Sequence, residues 1–153
     1  AIDGGDGTDT VRLGGSADAL DLSAGQNDIF SNIEVFDLEA SAGGNTLTLD
    51  DAAVAALNSG GELTVKGDAD DTVVLKGNWS YTAAGEFELN GSKVMLDGGA
   101  TVIMENPAGT IDLNGAWVRN ADGTFTLGAL SLSLPAASVV RVTPSDGLSP
   151  IPI

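Results

Sequence analysis

The residues best suited to chemistry are carboxylates set in glycine-rich turns. Gly4-Gly5-Asp6-Gly7-Thr8-Asp9-Thr10-Val11-Arg12 fills every fixed position of the nonapeptide G-G-x-G-x-D-x-U-x. Its glycines let the backbone turn sharply and aim carbonyl oxygens inward. Asp9 adds a hard carboxylate oxygen, and Val11 anchors the short strand that follows. All-oxygen ligation of this kind suits Ca²⁺, which takes roughly six to eight such ligands in flexible geometry.

A degenerate copy follows at Lys66-Gly67-Asp68-Ala69-Asp70-Asp71-Thr72-Val73-Val74, with Asp71 in the place of Asp9 and Val73 in that of Val11. Lys66 and Ala69 replace two of the glycines, while Asp68 and Asp70 bring further oxygens. The expected calcium ligands are therefore Asp6, Asp9, Asp68, Asp70 and Asp71, with Gly5 and Gly7 shaping the first turn. An EF-hand is excluded: counted from Asp68, positions six and twelve are Val73 and Trp79, where Gly and Glu are required.

Charge points the same way. Six Lys and Arg stand against 22 Asp and Glu, a formal net charge of −16. Nucleic acid and anionic membrane surfaces are poor partners for such a chain. Residues 1–76 hold fifteen acids and three bases, whereas 77–153 hold seven and three. A cation requirement thus belongs mainly to the first half. There is no Cys and no His, so disulfides, thiolate sites and the usual Ser-His-Asp or Cys-His systems cannot be built. Carboxylate pairs such as Asp21 with Asp37, or Glu86 with Glu88, offer weak glycosidase candidates. Glu86 and Glu88 alternate with Phe87 and Leu89, the pattern of a strand's wet face. The reading is non-enzymatic. Trp79, Tyr81 and Trp117 are either core residues or a platform for glycans.

The elements that must position these turns are strands. Period-two runs such as Thr46-Leu47-Thr48-Leu49 and Leu130-Ser131-Leu132-Ser133-Leu134 recur between Gly, Asn and Asp. One short helix is expected over 51–58, capped by Asp50 and ended by Gly60-Gly61. Ala19-Leu20-Asp21-Leu22-Ser23-Ala24 is echoed sixteen residues on by Val35-Phe36-Asp37-Leu38-Glu39-Ala40, and again at Leu47-Thr48-Leu49-Asp50, which suggests stacked rungs. Asn90-Gly91 predicts a hairpin, and Asn114-Gly115 and 120–123 divide further strands. The expected fold is all-β. A β-roll- or solenoid-like calcium-binding module occupies 1–82, an antiparallel meander sharing its core occupies 83–142, and a Pro-rich extended tail occupies 143–153. The opening Ala1-Ile2-Asp3 reads as a piece of something longer, and no run of about 18 apolar residues would span a membrane.

Ile2 to Leu13 resembles the opening of modules in large repetitive RTX-type bacterial surface proteins and adhesins. Segments similar to theirs follow in order at Ser31-Asn32-Ile33-Glu34-Val35-Phe36-Asp37-Leu38, at 44–54 and at 63–73, so the resemblance covers about residues 1–80. It implies type I secretion, an extracellular or cell-surface location, calcium-assisted folding, and a role in adhesion, biofilm or surface layers. Implied partners are Ca²⁺, neighbouring copies or modules of the same protein, and cell-surface glycans. The nonapeptides are not in tandem, and 83–153 matches no module ending of that group.

Overall fold

The computed structural model describes residues 2–23, 29–39, 43–82, 85–105, 110–135, 138–143 and 151–152. The chain winds as a solenoid. Coil one holds β1 (Ile2–Asp3), β2 (Thr10–Arg12) and β3 (Ala19–Asp21), and coil two holds β4 (Phe30–Ser31), β5 (Val35–Asp37) and β6 (Thr46–Leu49). Helix α1 (Asp51–Leu57) leads into coil three, β7 (Glu62–Gly67) and β8 (Thr72–Lys76). A short pair, β9 (Ser80–Tyr81) and β10 (Glu86–Leu89), precedes coil four, β11 (Ser92–Gly98) and β12 (Thr101–Glu105). The remainder is β13 (Thr110–Asn114), β14 (Val118–Arg119), β15 (Phe125–Leu127), β16 (Leu130–Ser133), β17 (Val139–Thr143) and β18 (Ile151–Pro152).

Two sheets form the walls. Sheet I runs β18-β17-β13-β9-β10-β11-β7-β5-β2, and sheet II runs β14-β15-β16-β12-β8-β6-β3. β1 and β4 pair separately, in parallel. Parallel register puts Val11, Phe36, Val65 and Leu96 in one column of sheet I. Leu20, Leu47, Val73, Val102 and Leu132 make a column of sheet II. The steps along these columns are 25 to 31 residues, one coil each. Inward side chains meet in one continuous core, from Leu22 through Phe36, Leu47, Val65, Val73 and Val102 to Leu132 and Val142. Each fully buried Val, Leu or Phe contributes about 1.5–3 kcal/mol.

The helix falls where the sequence places it. The Asp50 carboxylate accepts the Ala53 N–H at 2.7 Å, and Ala53, Val54 and Leu57 are buried. Asn90 and Gly91 both adopt positive φ, 52° and 85°, so the β10–β11 hairpin forms with Leu89 opposite Ser92. Residues 120–123 likewise join β14 to β15 in antiparallel fashion.

Two expectations need correction. The second half is not purely an antiparallel meander: β11 and β12 lie parallel on β7 and β8, β16 on β12, and β17 on β13. Hairpins are inserted into a parallel stack that continues because apolar columns such as Val73–Val102–Leu132 continue. The echo at sixteen residues is not a rung, since Ala19–Asp21 lies in sheet II and Val35–Asp37 in sheet I; Leu20 instead stacks on Leu47. Asn114-Gly115 does divide two strands, as its sequence suggests, at a corner that carries the chain from β13 in sheet I to β14 in sheet II. Ala24 and Ala40, which end the two echoed segments, and residues 144–150 and 153 of the tail lie outside the described residues; Thr143 closes β17, and Ile151–Pro152 pairs with that same strand.

Candidate functional site

The first nonapeptide turn carries the chain from β1 into β2. Gly5 and Gly7 adopt φ of 90° and 115°, conformations that side chains strongly disfavour. Gly4 lies so close to coil two that a Cβ there would collide with the Asn32 carbonyl oxygen and the Asp9 side chain. Asp3 braces the turn: its Oδ1 accepts the Asn32 Nδ2–H at 2.7 Å and the Gly5 N–H at 3.1 Å. These bonds, Asn32's first, hold the Asp3 carboxyl below its usual range. The Asp9 N–H donates to Glu34 Oε2 at 2.9 Å, and the Asp9 carbonyl accepts the Glu34 and Val35 N–H groups. Asp9 Oδ2 is buried without a hydrogen-bond partner, while Asp6 is exposed.

Glu34 is absent from the expected ligand set. Its signal was spacing, because Glu34 follows Asp9 by the same single-coil step that relates Thr10 to Val35.

The second turn, Asp68 to Asp71, carries the chain from sheet I to sheet II, so Asp6 and Asp9 are not brought into one turn with Asp68, Asp70 and Asp71. Here the carboxylates are engaged by backbone. Asp71, 1% exposed, accepts the Asn45 N–H on Oδ1 and the Asp68 N–H on Oδ2, both at 2.9 Å. Asp68 Oδ1 accepts the Asp70 N–H at 3.0 Å, and both of those side chains are exposed. Asn45, fully buried, continues the ladder. Its Oδ1 accepts the Asp18 N–H at 2.9 Å, and its Nδ2 donates to the Leu38 carbonyl at 3.1 Å. Asp18, Asn45 and Asp71 thus occupy the same corner of coils one, two and three. Between them, Thr46 N–H donates to the Asp18 carbonyl and Thr72 N–H to the Asn45 carbonyl, both at 2.8 Å.

Among the described residues no group of three or more acidic, His or Cys side chains converges as a metal cluster. A cation in the first turn would therefore draw on backbone carbonyls as well as carboxylates. The other carboxylates singled out in the sequence lie apart. Asp37 sits 3.3 Å from Arg12 in sheet I, and Asp21 sits 3.7 Å from Lys76 in sheet II. Bonds from the Ser23 hydroxyl and N–H lower the Asp21 carboxyl first, with Lys76 adding a smaller effect. Glu86 and Glu88 flank buried Phe87, the alternation expected of a strand.

Trp79 is fully buried and Trp117 is 8% exposed. Each indole N–H donates to the carbonyl three residues earlier, Lys76 at 3.0 Å and Asn114 at 3.1 Å. The intervening Gly77 and Gly115 have φ of 113° and 114°, so the two corners are built alike. Tyr81 packs edge-on against both Phe87 and Trp117 at 5.1 Å. The aromatics are core. No helix among the described residues is long and apolar enough to cross a membrane. No family model, curated protein or solved structure matches the chain.

Proposed function

We propose that the chain is a calcium-stabilised structural module of a secreted or cell-surface bacterial protein, acting as a stiff spacer or adhesive unit and not as an enzyme. The observation that carries this reading is Asp9 Oδ2, a buried carboxylate oxygen without a partner inside a glycine-built turn. An unpartnered buried charge is costly, and a hard cation offsets that cost. Asp9 would hold the ion, with Asp6, Glu34 and the carbonyls of the glycine turn as further oxygen donors. Bound calcium supplies positive charge to a first half rich in acids. Asp71 has its own backbone donors, so a second ion would rest on the exposed Asp68 and Asp70. A continuous core under parallel coils supports the spacer role. Burial of Trp79 and Trp117 gives a sugar-binding platform no support.

Calcium titration with thermal unfolding tests the reading. At a hundredfold excess over Kd, binding to the folded state alone adds about 2.7 kcal/mol. For a chain of this size that raises Tm by about 5–11 °C. Asp9→Asn removes the calcium-dependent part of the rise. A Tm indifferent to both calcium and chelator sinks the proposal.

A further inference from the structure

The coils alternate in chemistry, and that alternation says what belongs on the open end of the stack. In matching register, coils one and three read Thr10-Val11-Arg12 and Thr64-Val65-Lys66, while coils two and four read Val35-Phe36-Asp37 and Met95-Leu96-Asp97. A base thus alternates with an acid along the outer face of sheet I. The polar corner alternates too. Asp18 of coil one accepts the Gly15 N–H on Oδ2 at 2.8 Å, just as Asp71 of coil three accepts the Asp68 N–H on Oδ2. Asp71 Oδ1 then takes the N–H of coil-two Asn45. The corresponding oxygen of Asp18 meets no donor among the described residues.

Coil one therefore presents outward the face that coil three presents to coil two, with nothing described upon it. β2 and β3 are the terminal strands of their sheets. Among the described residues no strand lies beyond β3 to take the Ala19 N–H, the counterpart of the Thr46 and Thr72 N–H groups. Val11 and Leu20 are only half-buried, although Phe36 and Leu47 below them are wholly buried. Ile2 is 56% exposed, and the Arg12 side chain 72%.

We propose that this end, formed by β1, β2 and β3, docks one more parallel β-coil of the coil-two kind, contributed by another solenoid module. Such a coil sets an acid in register with Arg12, a backbone N–H against Asp18 and an apolar layer over Val11 and Leu20. A second copy presenting the same end is disfavoured, because Asp3, Asp6, Asp9, Asp18 and Asp21 outnumber Arg12 there and like charges would face each other. Neither the alternation nor the open corner involves the Asp9 carboxylate, so the inference stands apart from the calcium reading.

The test extends the full chain. A copy of residues 29–48 followed by a copy of 22–28 is joined ahead of Ala1, reproducing the connection that links coil one to coil two. The control joins the same added residues in scrambled order. Hydrogen exchange of the Thr10 and Ala19 amides is expected to slow at least about tenfold in the extended chain relative to the control. Its Tm is expected to rise, and Asp18→Ala to lower the Tm of the extended chain further than that of the unextended chain, in which Asp18 already holds the Gly15 N–H. Equal protection by the scrambled extension overturns the proposal. So does an unextended chain that sediments as a dimer with both amides already protected, since a second copy would then be the occupant.

Discussion

Exchanging Asp71 for asparagine separates a carboxylate that organises backbone from one that binds metal. Each Asp71 oxygen accepts one N–H at 2.9 Å, from Asn45 and from Asp68, in a site 1% exposed. Asparagine keeps the shape but turns one oxygen into an amino group, which meets a backbone donor and cannot accept from it. A hydrogen bond to a charged acceptor contributes about 1.5–3 kcal/mol, and the stranded buried donor adds to the loss, so Asp71→Asn should cost about 2–4 kcal/mol. Tm should fall by about 4–16 °C for a chain of this length. Thermal unfolding followed by circular dichroism, run with calcium and with chelator, reads it out. Because the partners are amides of the chain itself, the fall is expected to be the same in both conditions. A fall seen only in calcium, or one below about 1 kcal/mol, refutes the ladder reasoning.

Two further outcomes follow from the geometry. Gly98 has φ of 112°, and a Cβ there would collide with the Gly67 carbonyl oxygen of the coil above. Gly98→Ala should therefore cost about 3 kcal/mol or more in denaturant unfolding, while Gly99→Ala, whose new Cβ finds ordinary contacts at 3.5 and 3.6 Å, should stay within about 0.5 kcal/mol. Asp21 has its folded carboxyl held below the ordinary value of 3.8, so its contribution is present above that pH and lost as pH falls through the lower folded value. The Tm gap between the native chain and Ser23→Ala should accordingly narrow as pH falls from neutral to below the lowered Asp21 value, and a gap that widens on acidification contradicts the assignment.

Local signals were legible in the sequence because their physics is local. Asp50 ahead of an alanine-rich run specifies a capped helix whatever surrounds it, and Asn90-Gly91 supplies two residues tolerant of positive φ. The strands were legible from their alternation. The stacking was not, because the coil length varies and the chemistry repeats every second coil. Thr10-Val11-Arg12 and Thr64-Val65-Lys66 were the visible clue, yet comparing the two nonapeptides set Asp71 against Asp9 and hid it. Val73 belongs to the sheet II column of Leu20, not to the column of Val11. Asn45 could not be singled out either, since its role exists only once Asp18 and Asp71 lie on either side of it. The twin tryptophan corners share only a glycine two residues before the indole, a pattern too short to notice without the fold.

Most contacts in the stack join residues about one coil apart, so the chain closes only loops of 25 to 31 residues as it builds, and assembly can proceed one layer at a time. The start of α1 is an exception. The Asp51 carbonyl accepts the Ser92 hydroxyl at 2.8 Å, and its carboxylate accepts the Asn90 Nδ2–H at the same distance. Those bonds reach across roughly forty positions and cannot form until the fourth layer has arrived. The helix thus works as a late latch, fastening the segment between coils two and three to the layer that arrives last of the four.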